Sequence, residues 1–132
     1  MRNIVANAVF LKDNNVLLEK RKKSEDNYAG LWSVPGGHKN KSEPIKKALI
    51  REMKEELGIK IKIAEPLGRF DNRDPTSKNI YSHHFFFCKK WEGRIKKTKE
   101  QEGIKWIALS RIKNLKNMNK VSIKALKKAK LI

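Results

Sequence analysis

GHKNKSEPIKKALIREMKEELGI, residues 37–59, is the stretch on which the rest of the chain depends. Three of the 14 acidic residues, Glu52, Glu55 and Glu56, fall within five positions of it, in a chain with 32 Lys and Arg and a formal net charge of +18. A basic protein that gathers carboxylates at one spot holds something cationic there, or uses them to move protons. Pro44 suits the first turn of a helix, where a missing N–H is harmless, and Ser42 or Glu43 can cap it. Gly58 suits the position just past the C-terminus. These signals predict a helix over about 43–57.

At about 100° per residue from Ile45, the side chains Ala48, Leu49, Met53 and Leu57 share one side, with Ile50 at its margin. Lys47, Arg51 and Lys54 take the wet side. Glu56 falls near ~20° and Glu52 near ~340°, inside the apolar arc, with Glu55 at its border near ~280°. Carboxylates on the packed side are costly unless paired or bound to metal. Spaced i, i+3, i+4, they repel one another and need a compensating cation. That cation can be an Arg or Lys in a salt-bridge cluster. Oxygen-only ligands also suit a hard ion such as Mg²⁺ or Mn²⁺, which bridges to substrate phosphates. Just before the helix, Pro35-Gly36-Gly37 is backbone that a ligand can approach closely, or that can offer it a carbonyl.

The chain has 132 residues, the size of one domain, and 39% hydrophobic content allows a core. No run of about 18 apolar residues exists, so no helix is expected to cross a membrane. The N-terminus reads as a strand and turn rather than a secretory signal. A single cysteine, Cys88, excludes an internal disulfide and a cysteine zinc cluster. These features describe a soluble cytoplasmic protein. The positive charge favours polyanions, and a lysine-coated solvated surface accounts for it as well. Nucleic acid is thus allowed as a partner without being favoured.

Along the chain, residues 3–11 and 15–21 predict a hairpin turning at Asp13-Asn14-Asn15. A polar loop ends at Gly30, and LWSV is a short strand stopped by Pro35. After the helix, residues 60–70 read as a strand broken near Pro66, and 71–79 as a loop. IYSHHFFFCKKW is a strand, Glu92-Gly93 opens a loop to about Gly103, and IKWIAL is a strand. SRIKNL is a short helix and residues 120–130 an amphipathic C-terminal helix. Strands mixed with helices imply an α/β domain with a mixed sheet between helices.

Gly37, Glu43, Arg51, Glu52, Glu55, Glu56 and Gly58, with Met53 and Ile59 at the aliphatic positions, match Gly-x5-Glu-x7-Arg-Glu-U-x-Glu-Glu-x-Gly-U at every fixed place. The stretch therefore resembles the Nudix box. The resemblance implies an α/β/α sandwich, a single hydrolase domain over residues 1–132, and Mg²⁺-dependent hydrolysis of a nucleoside diphosphate linked to another moiety, with Mn²⁺ as an alternative ion. By position it implies that Glu52, Glu55 and Glu56 are metal ligands, with Glu52 also orienting or deprotonating water. Gly36 resembles the donor of a backbone carbonyl to the metal, and Glu43 and Arg51 the pair that fixes the loop–helix–loop. One departure is the basic run His38-Lys39-Asn40-Lys41, with Ser42, where family members often carry acids and a glycine.

LEKR, LWSVPGG, HFFFCKKWEG and KEQEGIKWIAL are further similar to the MutT-type branch, whose members hydrolyse nucleoside triphosphates, including oxidised ones such as 8-oxo-dGTP, to a monophosphate and pyrophosphate. In that branch a Glu in the loop before the last strand approaches the metals. Glu100 matches it, with Glu102 as the near alternative. Arg21 matches a phosphate-contacting Arg, and Asn119 lies near a base-reading Asn. Other readings are an ADP-ribose or dinucleoside polyphosphate hydrolase, to which Pro75 and Thr76 speak only weakly, and a basic RNA-binding or RNA 5′-end processing module. The substrate base and the choice between monomer and homodimer stay open. His38, His83 and His84 match no metal-site spacing, and His83 and His84 point to opposite faces of a strand. Of Trp32, Phe85, Phe87, Trp91 and Trp106, most are expected in the core and one in the pocket. Cys88 is expected to be buried.

Overall fold

A computed structural model describes residues 3–22, 30–73 and 78–132. In it helix α1 spans Ile45–Leu57, two residues later than expected at its start. Pro44 itself takes the N-cap position, with φ −62° and ψ 145°, and no side chain caps the helix. Ser42 and Glu43 therefore do not cap it. The Glu43 carboxylate goes instead to the Asn40 amide and to Arg51. At the other end Gly58 takes the left-handed conformation, φ 71°, and its N–H closes on the Lys54 carbonyl.

The predicted N-terminal hairpin is corrected. Strand β1 (Asn3–Val9) does not pair with β3 (Asn15–Arg21). Only the two-residue β2 (Leu11–Lys12) folds back on β3, about a turn whose central residues Asp13 and Asn14 both have positive φ. That is the turn a two-residue hairpin favours, and Asn and Asp tolerate it. β1 instead enters a mixed sheet, order β5–β1–β7–β6: it runs parallel to β7 (Ile80–Glu92) and antiparallel to β5 (Gly36–His38). The β1–β7 pairing is non-local, so nothing beside β1 in the sequence announces it.

β6 covers Lys60–Arg73 and pairs with β7 through three register shifts. Asp71–Arg73, expected in a loop, therefore belong to the strand. Pro66 sits on this edge strand, where its missing N–H is tolerated. Pro75 and Thr76 lie outside the described residues. A second, antiparallel sheet pairs β3 with β2, with β4 (Trp32–Ser33) and with β8 (Gln101–Ala108). β8 starts at Gln101, so the loop before it ends three residues earlier than expected. A 3-10 helix (Leu109–Asn114) and α2 (Lys120–Lys128) end the chain.

Helices cover both sides. Ala6, Ala8, Leu17, Phe86 and Cys88 pack with Leu49, Met53 and Leu57 of α1. Val9, Val16, Leu18 and Phe85 pack with Val121, Ala125 and Leu126 of α2. Strands buried on both faces read as continuous apolar runs such as VLL. The result is the expected α/β/α sandwich, with two sheets in its middle layer. No helix among the described residues is long and apolar enough to cross a membrane.

Candidate active site

Strand β5 is the edge of the mixed sheet, and α1 starts seven residues after it. The ladder bonds on β5 fall at Pro35, whose carbonyl accepts from Ala8, and at Lys39, whose N–H donates to Ile4. Antiparallel alternation then turns the Gly36 N–H and C=O away from β1, towards the open edge. Next to it, Gly37 is packed against Glu52: a Cβ on Gly37 would overlap the Glu52 carboxylate and stand 2.5 Å from its Cγ. Glycine here is what lets Glu52 lie along the strand.

Arg51 organises the box. Its guanidinium donates to both Glu43 oxygens, at 2.8 and 2.9 Å, to the His38 carbonyl at 2.9 Å, to Glu52 Oε1 at 2.8 Å and to Glu55 Oε2 at 3.3 Å. Arg51 is thus half-buried among carboxylates and not on the wet side of the helix. Its hydrogen bonds hold the Glu43 carboxyl down at about 2. Glu52 is raised by burial, against the pull of Arg51.

Glu19, Glu52, Glu56 and Glu100 line one solvent-open cavity with Arg21, Gly36 and Gly37. Glu56 is buried and Glu19 is 2% exposed. Burial pushes the Glu19 carboxyl up to about 8, against Arg21 and the Gly36 amide. Burial also raises Glu56, reinforced by the charges of Glu19 and Glu52. One oxygen of each, Glu19 Oε1 and Glu56 Oε2, is buried without a hydrogen-bond partner among the described residues. Buried carboxylate oxygens left in this state call for a cation or a proton.

Gln101 and Thr98 place Glu100. Gln101 Nε2 and Thr98 Oγ1 each donate to the Glu56 carbonyl at 2.8 Å, and Thr98 Oγ1 accepts from the Glu100 amide at 3.2 Å. Glu102 faces elsewhere and pairs with Lys20 at 3.7 Å. Of the two candidate acids, then, Glu100 in the loop reaches the cavity, and Glu102 lies in β8. Glu55 does not line it, being exposed and held by Arg51. Among the described residues no three His, Cys, Asp or Glu side chains converge as a ready metal cage. Two of the carboxylate oxygens, Glu52 Oε1 and Glu55 Oε2, are held by Arg51.

A second cleft adjoins the first and shares Arg21, Gly36, Gly37 and His38 with it. Asn119 lines this cleft, but its Oδ1 caps α2, accepting from Val121 and Ser122 at 2.8 and 3.0 Å. Of its side chain only the Nδ2 group is left for reading a base. Phe85 is the one of the five expected aromatics that lines the cleft. Trp91 packs edge-on against Phe10, and Trp32 lies under Lys20 and Lys105. Cys88 is buried, and burial pushes its thiol up to about 12, which suits no nucleophile. His83 is buried and His84 only half so, as their opposite faces require. Gly58 closes the end of α1 and lines neither the cavity nor the cleft.

Sequence reasoning missed Glu19 and Gln101. The signal for Glu19 was available: it continues the alternation of Leu17, the β3 residue that faces α1. Gln101 carried none, because its role depends on which carbonyl lies opposite.

The NUDIX domain family model matches residues 1–129. An ADP-ribose pyrophosphatase of Methanocaldococcus jannaschii is 34% identical over 79 residues, 58% of this chain and 46% of that protein. The chain thus spans about half the length of that relative. An 8-oxo-dGTP diphosphatase of Buchnera aphidicola is 32% identical over 111 residues, 84% of this chain and 80% of that protein. Among solved structures, a MutT NUDIX hydrolase from Burkholderia pseudomallei superposes with a TM-score of 0.86 at 26% identity, covering 97% of this chain and 98% of that one.

Proposed function

The chain belongs to the NUDIX domain family, and on that premise we propose that residues 1–132 form one hydrolase domain that cleaves a phosphoanhydride bond in a nucleoside di- or triphosphate derivative. The observation that carries this is the pair of buried oxygens, Glu19 Oε1 and Glu56 Oε2, that have no hydrogen-bond partner among the described residues, in a cavity with two further carboxylates. The donors are all oxygen, and three of the acids, Glu19, Glu52 and Glu56, are raised by burial. Such a set fits a hard divalent ion, Mg²⁺ or Mn²⁺.

Glu52, Glu56, Glu100 and the Gly36 carbonyl would hold the ion, joined by Glu19, and by Glu55 once released from Arg51. When bound, the ion neutralises the polyphosphate and lowers the pKa of a water. The chain's own groups do the rest. Arg21, at the junction of cavity and cleft, takes up phosphate charge. Glu52 or Glu100 accepts the proton of the attacking water. Gly37 gives Glu52 its place, and Glu43 holds Arg51 so that the loop and helix keep their angle.

Within this class we favour a MutT-type action on a (d)NTP or oxidised dNTP, with attack at the β-phosphorus giving a nucleoside monophosphate and pyrophosphate. Supporting it is the match to an 8-oxo-dGTP diphosphatase over 80% of its length, against 46% for the ADP-ribose enzyme. The test is incubation with Mg²⁺ and a panel of NTPs, dNTPs, 8-oxo-dGTP, ADP-ribose and a dinucleoside polyphosphate, reading phosphate and pyrophosphate. Monophosphate and pyrophosphate from a triphosphate is the expected result. Preference for ADP-ribose or the dinucleoside would move the assignment to that branch. No turnover at all, with tight salt-sensitive RNA binding, would overturn it.

A further inference from the structure

The cleft beside the carboxylate cavity has a chemistry of its own. Its floor is made by neighbouring parallel strands, Asn7 on β1 and His83 on β7. Both are buried, at 6% and 4% exposed. Asn7 Nδ2 meets His83 Nδ1 at 3.3 Å. Around them are rings: Tyr81 lies 6.0 Å from His83, Phe85 6.2 Å from it, and His38 5.8 Å from Tyr81. Val5 and Val34 add apolar wall.

A polar pair at the bottom of an aromatic and apolar cleft is the arrangement that orients a flat heterocycle. The hydrogen bond sets the direction of the amide. With Nδ2 given to His83, Oδ1 is the acceptor that Asn7 offers, and it lies against Gly36, the residue shared with the carboxylate cavity. A heterocycle seated here would have its phosphates directed through that junction, past Arg21. Asn119 is less suited to the reading, because its own Oδ1 is engaged in capping α2.

We propose that Asn7 and His83 are the specificity-determining pair of this protein, selecting the base of the nucleotide by accepting an N–H from its edge at Asn7 Oδ1. The proposal rests on the hydrolase reading only in that the ligand is a nucleotide. A base that supplies the N–H at the right place gains a buried hydrogen bond. A base that does not leaves a buried acceptor unmatched, and sites of this kind discriminate through that penalty.

The test is equilibrium binding without metal, by calorimetry or NMR titration, of the four nucleoside monophosphates, 8-oxo-dGMP and the base-free ribose 5-phosphate. The wild type is expected to bind at least one monophosphate about tenfold tighter than the others and than ribose 5-phosphate, on the order of one buried hydrogen bond. Asn7→Leu and His83→Phe are each expected to collapse that spread to about twofold or less. His83→Phe keeps a ring among Tyr81 and Phe85, so it carries the test if the Asn7 variant does not fold. An unchanged spread in a folded variant would overturn the proposal, as would ribose 5-phosphate binding as tightly as every monophosphate. Because nothing is hydrolysed in this experiment, its failure and a failure of the hydrolase reading are separable.

Discussion

Glu19 and Glu56 reach one cavity from different layers, strand β3 and helix α1, and the charge of Glu19 adds to burial in raising Glu56. A raised carboxyl is protonated in the fold and ionised in the unfolded chain between its ordinary value and its raised one. For Glu19 that window runs from 4.5 to about 8. The unfolded state then binds fewer protons, so stability present below the window is lost as pH rises through it. In EDTA, the Tm of the wild type should therefore fall relative to Glu19→Gln between pH 5 and 8, and Mg²⁺ at pH 8 should restore it. Parallel melting curves for the two proteins would contradict this.

Thr98 ties the loop of Glu100 to the end of α1 through the Glu56 carbonyl. Thr98→Val keeps the shape and removes both bonds. Stability should fall by about 1–2 kcal/mol. Activity should fall further, with kcat/KM down about tenfold, because a displaced carboxylate loses its alignment. Urea unfolding and steady-state kinetics on the same preparation separate the two effects.

Two glycines of the box should respond differently to alanine. At Gly58 a Cβ would meet only Lys96 Cε at 3.5 Å, so the cost is the positive φ alone. Gly58→Ala should lose about 1 kcal/mol with kcat unchanged. At Gly37 the Cβ enters the space of Glu52. Gly37→Ala should reduce kcat/KM by about 100-fold or more, as misplacing a reacting group by an ångström does.

The local features were legible in the sequence. Gly58 ends α1, the apolar arc buries Ala48, Leu49, Met53 and Leu57, and Glu56 lies inside that arc as its angle demands. What escaped was non-local. The partner of β1 is β7, more than 70 residues away, so a hairpin with β3 looked the simpler pairing. The helical angle of Arg51 puts it on the wet side. A helical wheel sees one helix only, and the loop that brings Glu43 and the His38 carbonyl to that guanidinium is not on it. Asn119 matched a base-reading position, yet at a helix start its Oδ1 was bound to find the α2 amides.

The net charge of +18 surrounds a site whose acids would repel a polyphosphate. If that field guides the substrate, kcat/KM for a nucleotide should fall about threefold or more between 0.05 and 0.5 M salt, while kcat changes little. A kcat/KM indifferent to salt would show that the lysines are only a solvated coat.

The most direct test of the central claim is hydrolysis of a nucleoside triphosphate, by wild type and Glu56→Gln, with Mg²⁺ titrated from zero. The carboxylate site predicts no turnover without the ion, saturable release of monophosphate and pyrophosphate with it, and a loss of more than about 100-fold in a folded Glu56→Gln, beyond what outer-sphere partners of a metal cost. Turnover that needs no divalent ion, or a Glu56→Gln protein as active as wild type, would contradict it.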